Sequence, residues 1–170
     1  MKAMNSPTDT LFAIPPAHVE LGDCSFYHIM ELPGVGLTSG WWDLRDGVDE
    51  YLGHGPLRGA RVLEIGPASG FLTVEMEKRG AHVVAVEITD EHGWDFVPFP
   101  PSILTDGMRA QQAAGMRMLK NSFWLTHRLY RSRAQVFYGD VCHSICPPSL
   151  DLLMWRLWHQ YCSTCRRPCR

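Results

Sequence analysis

The sequence predicts an α/β fold in which short parallel strands alternate with helices. Three short apolar runs, over 61–64, 83–88 and 136–138, have the length and composition of buried strands. A tight glycine loop joins the first run to a helical pattern, and a longer helical pattern separates the second run from the third. Strands that alternate with helical stretches favour a parallel sheet with crossover helices. The 170 residues suit one such domain.

Each predicted element follows from its local composition. A polar, proline-bearing stretch predicts a loose tail over 1–17, and an extension rich in aromatic residues comes next. The further predicted elements are a short helix over 48–52, the strand 61–64, a helix over 71–79, the strand 83–88, an irregular proline-rich stretch over 89–101, a helical pattern over 102–131 and the strand 136–138. We expect the long helical pattern to be interrupted near Gly107, Gly115 and Asn121-Ser122.

The loop after the first strand has the arrangement of a ligand-binding turn. Val62, Leu63 and Ile65 predict a buried strand, and residues 66–70 read Gly-Pro-Ala-Ser-Gly before the helix begins. A strand, a glycine turn and a helix N-terminus leave backbone N–H groups free where a ligand can approach closely. The second strand ends at Glu87, whose carboxylate can accept hydrogen bonds from both hydroxyls of a ribose.

Two cofactor classes use this layout, and the loop residues distinguish them. A dehydrogenase loop reads Gly-x-Gly-x-x-Gly and holds a diphosphate at the helix N-terminus. Here Ala68 takes the middle position, and the acidic Glu64 precedes the loop. A carboxylate at this place repels a diphosphate and attracts the ammonium of an amino-acid tail. An ordinary strand-to-helix turn with no ligand is the other interpretation.

The loop resembles motif I of the class I S-adenosylmethionine-dependent methyltransferases, in which an acidic residue precedes Gly-x-Gly-x-Gly. The resemblance implies a Rossmann-like αβα sandwich and S-adenosylmethionine as the cofactor. It also implies that Glu64, Gly66, Ala68 and Gly70 surround the methionine part and that Glu87 holds the ribose. Ala68 departs from the family's glycine, and its methyl group crowds the loop slightly without forbidding the fold.

A third match to the family follows the last predicted strand. Residues 134–141 read Ala-Gln-Val-Phe-Tyr-Gly-Asp-Val. The resemblance implies that Asp140 contacts the adenine amino group and that Val141 is the apolar neighbour of the adenine ring. A Gly-Asp pair after a strand is also a common turn, so the match depends on the order Glu64, Glu87, Asp140.

The aromatic N-terminal extension has two interpretations. Tyr27-His28 and the segment 40–45, Gly-Trp-Trp-Asp-Leu-Arg, are similar to a subgroup of methyltransferase-domain proteins distantly related to the tRNA wobble-uridine methyltransferases. In the functional interpretation the extension is a lid or substrate wall, and His28 and Asp43 are candidate catalytic residues that face the transferred methyl. In the other, which we favour for His28, the aromatic side chains cap the sheet and His28 is a hydrogen-bonded core residue. Two interpretations are also open for Trp94 and Asp95, which follow the second strand closely. They border the cofactor pocket in one, and they pack within their own loop in the other.

The sequence changes character after Val141. Five of the six cysteines lie between Cys142 and Cys169. The residue types that bind zinc are Cys142, His143, Cys146, His159, Cys162, Cys165 and Cys169, but their full arrangement fits no zinc pattern, and we predict no metal site. Disulfides conflict with a cytoplasmic enzyme. If the coding DNA of this segment is read one reading frame over, the possible codons permit a sequence that looks like the fourth strand of a class I methyltransferase.

We therefore expect a frameshift after about residue 141 and early termination, so that the sandwich is incomplete at its C-terminus. A genuine variable tail and a metal site are the alternatives. The predicted organisation is an N-terminal extension over 1–57, the cofactor-binding half of a methyltransferase domain over 58–141, and an atypical tail over 142–170.

Composition argues against several other classes. No apolar run approaches the ~20 residues that span a bilayer, and the first residues lack the pattern of a secretory signal, so we expect a cytoplasmic protein with no membrane partner. A net charge of −2 favours a small-molecule substrate over nucleic acid. The basic residues Arg117, Lys120, Arg128, Arg131 and Arg133 are more typical of a solvated helix face than of an RNA site.

The predicted function is transfer of a methyl group from S-adenosylmethionine to an unidentified small molecule or RNA. Because much of the substrate half is expected to be missing, an inactive cofactor-binding fragment is the first alternative. A nicotinamide-dependent oxidoreductase is the second, and Ala68 and Glu64 count against it. No catalytic base is assigned beyond the candidates His28 and Asp43, and the oligomeric state is not predicted.

Overall fold

The computed structural model describes residues 12–90 and 103–139 of the chain. After a 3-10 turn over Leu21–Asp23, its elements in chain order are the strands β1 (Glu31–Leu32) and β2 (Gly36–Leu37), the helix α1 (Val48–Tyr51), the strand β3 (Arg61–Ile65), the helix α2 (Phe71–Lys78), the strand β4 (His82–Glu87), the helix α3 (Asp106–Tyr130) and the strand β5 (Gln135–Tyr138).

A parallel three-stranded sheet lies at the centre of the fold. Its strand order is β3-β4-β5, with Glu64 opposite Ala85 and Ala85 opposite Val136. This register brings the carboxyl ends of the strands to one edge, where Glu87 lies opposite Tyr138. The predicted α/β class and the three predicted strands are confirmed, and the arrangement is compatible with a Rossmann-like fold. The expected incompleteness stays a prediction, because residues 140–170 lie outside the described part.

Apolar side chains from the sheet and from α3 form the main core. Ala85 and Val136 are almost fully buried on the sheet, and they belong to one cluster with Phe123, Trp124 and Leu125 of α3. These three consecutive helix residues are all buried, so the second half of α3 is covered on more than one face. The helix is thereby fixed against both the sheet and the N-terminal extension.

The helix α3 is continuous, and the predicted interruptions near Gly107, Gly115 and Asn121-Ser122 are wrong. Ser122 is fully buried, accepts a hydrogen bond from the N–H of Ser25 at 2.8 Å, and lies 2.7 Å from the carbonyl oxygen of Ser25 and 2.8 Å from that of Met118. Its hydroxyl is thus satisfied without breaking the helix. Sequence alone could not provide this partner, which lies 97 positions away.

The N-terminal extension packs on the rest of the chain. Val19, Phe26, Met30 and Leu32 belong to the same core cluster as α3. Within the predicted loose tail, the N–H of Ala13 donates to the carbonyl oxygen of Val136 at 2.7 Å, so the chain is bonded to the sheet at Ala13. The division into 1–57, 58–141 and 142–170 stays a prediction. Neither α3 nor any other helix of the described ranges is long and apolar enough to cross a membrane.

Candidate functional site

The glycine loop between β3 and α2 has an unusual backbone. Gly66, Ala68 and Gly70 all have positive φ, at 70°, 51° and 84°. The N–H of Gly66 donates to the carbonyl oxygen of Val86 at 2.8 Å, which ties the loop to β4. A Cβ atom at Gly66 would meet nothing within 4 Å among the described residues, so open space lies above it. The loop therefore presents its backbone to a space that a side chain at position 66 would occupy.

Gly70 is required for a different reason, since it is the N-cap of α2 and packs on α3. A Cβ atom there would lie 3.2 Å from the ring of Phe123 and 3.4 Å from the methyl group of Thr126. Ala68, by contrast, holds a conformation that costs a residue with a Cβ atom about 1 kcal/mol or more. A glycine would adopt this backbone conformation without that cost, because the backbone at position 68 is left-handed.

Glu64 lies beneath the loop and is 8% exposed. Its carboxylate accepts a hydrogen bond from the hydroxyl of Thr73 on α2. Burial raises the pKa of Glu64 to about 7, and the neighbouring Glu77 and Glu87 act in the same direction, while the Thr73 hydrogen bonds oppose the rise. The predicted contact of Glu64 with a ligand's ammonium stays a prediction, since this carboxylate is turned towards the helix.

Glu87 ends β4 beside the same loop and is half-buried. Its carboxylate accepts a hydrogen bond from its neighbour Ile88 N–H at 2.8 Å. Burial raises the pKa of Glu87, and this rise is opposed by that bond, by the Lys120 ammonium and by a hydrogen bond from the Ala68 backbone. The Glu87 carboxylate thus lies close enough to the Ala68 backbone to be influenced by it, and the assignment of Glu87 to a ribose stays a prediction.

A cavity of about 680 Å³ opens past the carboxyl ends of β4 and β5, where Thr89 and Tyr138 line it, while neither Glu87 nor the loop residues 66–70 belong to its lining. Its lining includes Asp90, Lys120, Trp124 and Tyr138. The indole N–H of Trp124 donates to the Tyr138 hydroxyl at 2.9 Å, and the Lys120 ammonium pairs with Asp90 and lies 4.6 Å from the centre of the Tyr138 ring. Ligands of open α/β sheets bind at this edge.

These lining residues were missed by the sequence analysis. The side chain of Lys120 is only 12% exposed, so its assignment to a solvated helix face is wrong, whereas Arg117 is exposed as expected. The spacing of Lys120 and Trp124, one helical turn apart, was the available signal.

A second cavity, of about 570 Å³, lies at the opposite edge, near the starts of the strands at Arg61 and His82.

The N-terminal extension reaches the loop through Ser69. The backbone N–H groups of Tyr27 and His28 lie 3.3 and 3.4 Å from the Ser69 hydroxyl oxygen, which accepts from them. His28 is 7% exposed and its ring lies 5.4 Å from that of Phe71. It is buried, as favoured from sequence, but its Nδ1 has no hydrogen-bond partner among the described residues. Burial lowers the pKa of His28, which keeps the ring neutral at pH 7.

Asp43, the other catalytic candidate, is exposed and bound to Arg45. The guanidinium Nε and Nη2 donate to the two Asp43 oxygens at 2.8 and 2.7 Å. These bonds lower the pKa of Asp43 to about 2. A carboxylate that is so weakly basic and already paired is poorly suited to remove a proton from a substrate.

Several predicted site residues lie outside the described part of the chain. These are Asp140 and Val141, the loop residues Trp94 and Asp95, and all the zinc-ligand types from Cys142 onward. Gly139, the residue before Asp140, donates its N–H to the carbonyl oxygen of Glu87 at 2.8 Å. Over 12–90 and 103–139, no group of three or more acidic, histidine or cysteine side chains is placed to hold a metal ion.

Part of the chain is similar to a known enzyme, the ubiquinone biosynthesis O-methyltransferase of Xylella fastidiosa (strain 9a5c). The two sequences are 35% identical over 68 residues, an alignment that covers 34% of this chain and 28% of that enzyme. The similarity thus spans less than a third of the relative's length. It supports a methyltransferase and methyl transfer in general. No family model matches the chain, and no solved structure matches it significantly.

Proposed function

We propose that this chain binds S-adenosylmethionine at the glycine loop and that its function is methyl transfer to a small molecule. The observation that carries the proposal is the glycine loop, whose backbone faces open space at Gly66 and whose Ala68 backbone lies close enough to Glu87 to influence its carboxylate. A carboxylate at the end of the second strand is suited to two ribose hydroxyls. The partial similarity to an O-methyltransferase supports the same function.

The loop fits the methionine part of this cofactor. Among the described residues, nothing lies within 4 Å of the place where a Cβ atom at Gly66 would be, so an amino-acid tail can lie directly on the backbone there. Glu87 lies close enough to Glu64 that its charge helps to raise the pKa of Glu64. Two acidic groups beside one loop favour a ligand with an ammonium or sulfonium group over a diphosphate, which counts against the nicotinamide alternative.

When bound, S-adenosylmethionine supplies an electrophilic methyl group, which an acceptor's lone pair takes while sulfur keeps the electrons of the broken bond. The contribution of the protein is to orient the two reactants. His28 stays a candidate base, because its ring is neutral and its Nδ1 has no partner in the described ranges, although the burial of the ring favours the core interpretation. Asp43 is the weaker candidate, because Arg45 occupies its carboxylate.

Three finer parts of the proposal rest on sequence alone. They are the distant relationship to the tRNA wobble-uridine methyltransferases, the adenine contacts of Asp140 and Val141, and the out-of-frame origin of 142–170. If that last segment is out of frame, an inactive cofactor-binding fragment is the expected product. Sequencing the coding DNA tests this: an uninterrupted frame that never encodes the expected fourth strand would reject the frameshift.

Calorimetric titration of the full chain with S-adenosylhomocysteine and, separately, with NAD⁺ tests the proposed cofactor. We expect saturable binding of the first ligand and none of the second. Binding of NAD⁺ alone would favour the oxidoreductase and overturn the proposal. A methyl-transfer assay with labelled S-adenosylmethionine then separates an active enzyme from a fragment that only binds the cofactor.

A further inference from the structure

Three aromatic side chains next to the loop are exposed to solvent. Trp41 is 82% exposed, Trp42 is 57% exposed and Tyr27 is 39% exposed. The rings of Tyr27 and Trp41 lie 6.3 Å apart, with an angle of 40° between their planes. Large apolar side chains that are exposed together mark binding surfaces more often than isolated ones do. We call these three residues the aromatic surface.

The backbone holds the aromatic surface in place. The N–H groups of Trp41 and Trp42 both donate to the carbonyl oxygen of Tyr27, at 2.9 and 3.1 Å. A Cβ atom at Gly40 would lie 2.4 Å from the carbonyl carbon of His28, so only glycine permits this close approach of the two segments. The indole rings therefore project from a fixed backbone.

The aromatic surface is directly connected to the candidate cofactor loop. The N–H of Tyr27 is bonded to the Ser69 hydroxyl at 3.3 Å, and Ser69 is fully buried between Ala68 and Gly70. A ring that stacks on Tyr27 or Trp41 is thus bound by the segment that contacts the loop. An acceptor in a methyl-transfer reaction has to lie beside the cofactor.

The charges near this surface select against a polyanion. Arg45 interacts with three carboxylates, those of Asp43, Asp46 and Glu31. Around Arg45, three residues from Trp42 in the chain, three carboxylates outnumber one guanidinium, so the charge there is negative. A phosphate backbone would be repelled, whereas an uncharged ring would not.

We propose that the aromatic surface binds the methyl acceptor, and that this acceptor carries an uncharged planar aromatic ring. That the bound ring belongs to a methyl acceptor rests on the proposed function. The binding of a planar ring to the aromatic surface does not depend on that function. Stacking on Trp41 and Tyr27 supplies the affinity and orients the ring. A single-stranded RNA base is the competing occupant, and the experiment includes it.

A ligand-observed NMR titration of the full chain tests this with 2-naphthol and with its saturated analogue decahydro-2-naphthol. We expect 2-naphthol to bind more tightly, because only the planar ring can stack. Trp41→Ala should weaken 2-naphthol binding roughly 3-fold to 10-fold, while Trp41→Phe should restore most of the affinity. Met108→Ala, which removes an exposed apolar side chain from α3, is the matched control and should have no effect.

Equal binding of the two ligands, or equal binding to wild type and Trp41→Ala, would overturn the inference. Tighter, Trp41-dependent binding of a uridine oligonucleotide would overturn it in favour of RNA. S-adenosylhomocysteine titrations on the same variants separate the two proposals. If 2-naphthol binds in a Trp41-dependent way but S-adenosylhomocysteine does not bind, the aromatic surface is supported and the proposed function is contradicted. If S-adenosylhomocysteine binds but 2-naphthol binding does not depend on Trp41, only the inference about the aromatic surface is contradicted.

Discussion

The hydroxyl of Thr73 donates a hydrogen bond to the buried carboxylate of Glu64, which joins the sheet to the first turn of α2. The backbone of Thr73 also acts to lower the pKa of this carboxylate. The N-cap of this helix is Gly70, which has no side chain to cap the free N–H groups of the first turn. The Glu64 carboxylate therefore lies at the N-terminal turn of α2, where a negative charge complements the helix dipole.

This position makes stability depend on pH. Burial raises the pKa of Glu64 to about 7, from 4.5 in the unfolded chain. The folded state thus keeps a proton that the unfolded state releases, so its stability is full below pH 4.5 and decreases as pH rises through 7. We expect Glu64→Gln to raise the free energy of unfolding at pH 8 by about 1–3 kcal/mol and to leave it little changed at about pH 4.

Urea denaturation at several pH values checks this prediction. Glu75→Gln on the same helix is the matched control, because Glu75 forms ion pairs with Lys78 and Arg79. That variant should show no gain at about pH 8. A Glu64→Gln variant whose stability changes with pH as steeply as the wild type would show that Glu64 is not the titrating group.

Ala68→Gly should stabilise the fold. Ala68 has a φ of 51°, and a glycine relieves the strain of a Cβ atom in this conformation. The greater freedom of glycine in the unfolded chain offsets part of the gain, so we expect about 0.5–1 kcal/mol. Thermal melts measure the difference. Ala60→Gly, at a position that does not have positive φ, should instead destabilise, and a loss of stability in both variants would disprove the strain.

Gly66→Val should abolish binding of S-adenosylhomocysteine. Its side chain would enter the open space above the loop, and a β-branched residue is strained at a φ of 70°. Gly59→Val is a close control, because Gly59 has a φ of 74° and also has open space beside it but lies outside the loop. Both variants should lose similar stability in melts. Calorimetry should find binding in Gly59→Val alone, and equal affinity of the two would mean that the loop is only a turn.

The strands and the glycine loop were predictable because their signals are local. Apolar runs of strand length identify β3, β4 and β5, and the loop is encoded in five consecutive residues, 66–70. The sequence also placed Glu87 at the end of the second strand, and parallel pairing brings this strand end to the same edge of the sheet as the end of β3.

The parts that sequence did not predict depend on contacts between distant segments. The partner of Ser122 is Ser25, and without it the helical pattern of α3 looked interrupted. The burial of Lys120 depends on the register of α3 against Tyr138 and Asp90. The connection of Tyr27 to Ser69 likewise joins segments 42 positions apart, which no local pattern encodes.

The central claim is that Glu87 and the glycine loop form one cofactor site, and a binding cycle tests it most directly. Calorimetry compares wild type and Glu87→Ala for S-adenosylhomocysteine and for its 2′-deoxy analogue, with Glu87→Gln as the isosteric control. We predict that Glu87→Ala costs about 2–3 kcal/mol with the full ligand. Wild type should bind the 2′-deoxy analogue more weakly than S-adenosylhomocysteine. Glu87→Ala should bind the two ligands with equal affinity. Unchanged affinity of Glu87→Ala for the full ligand would contradict the assignment of this carboxylate to the ribose.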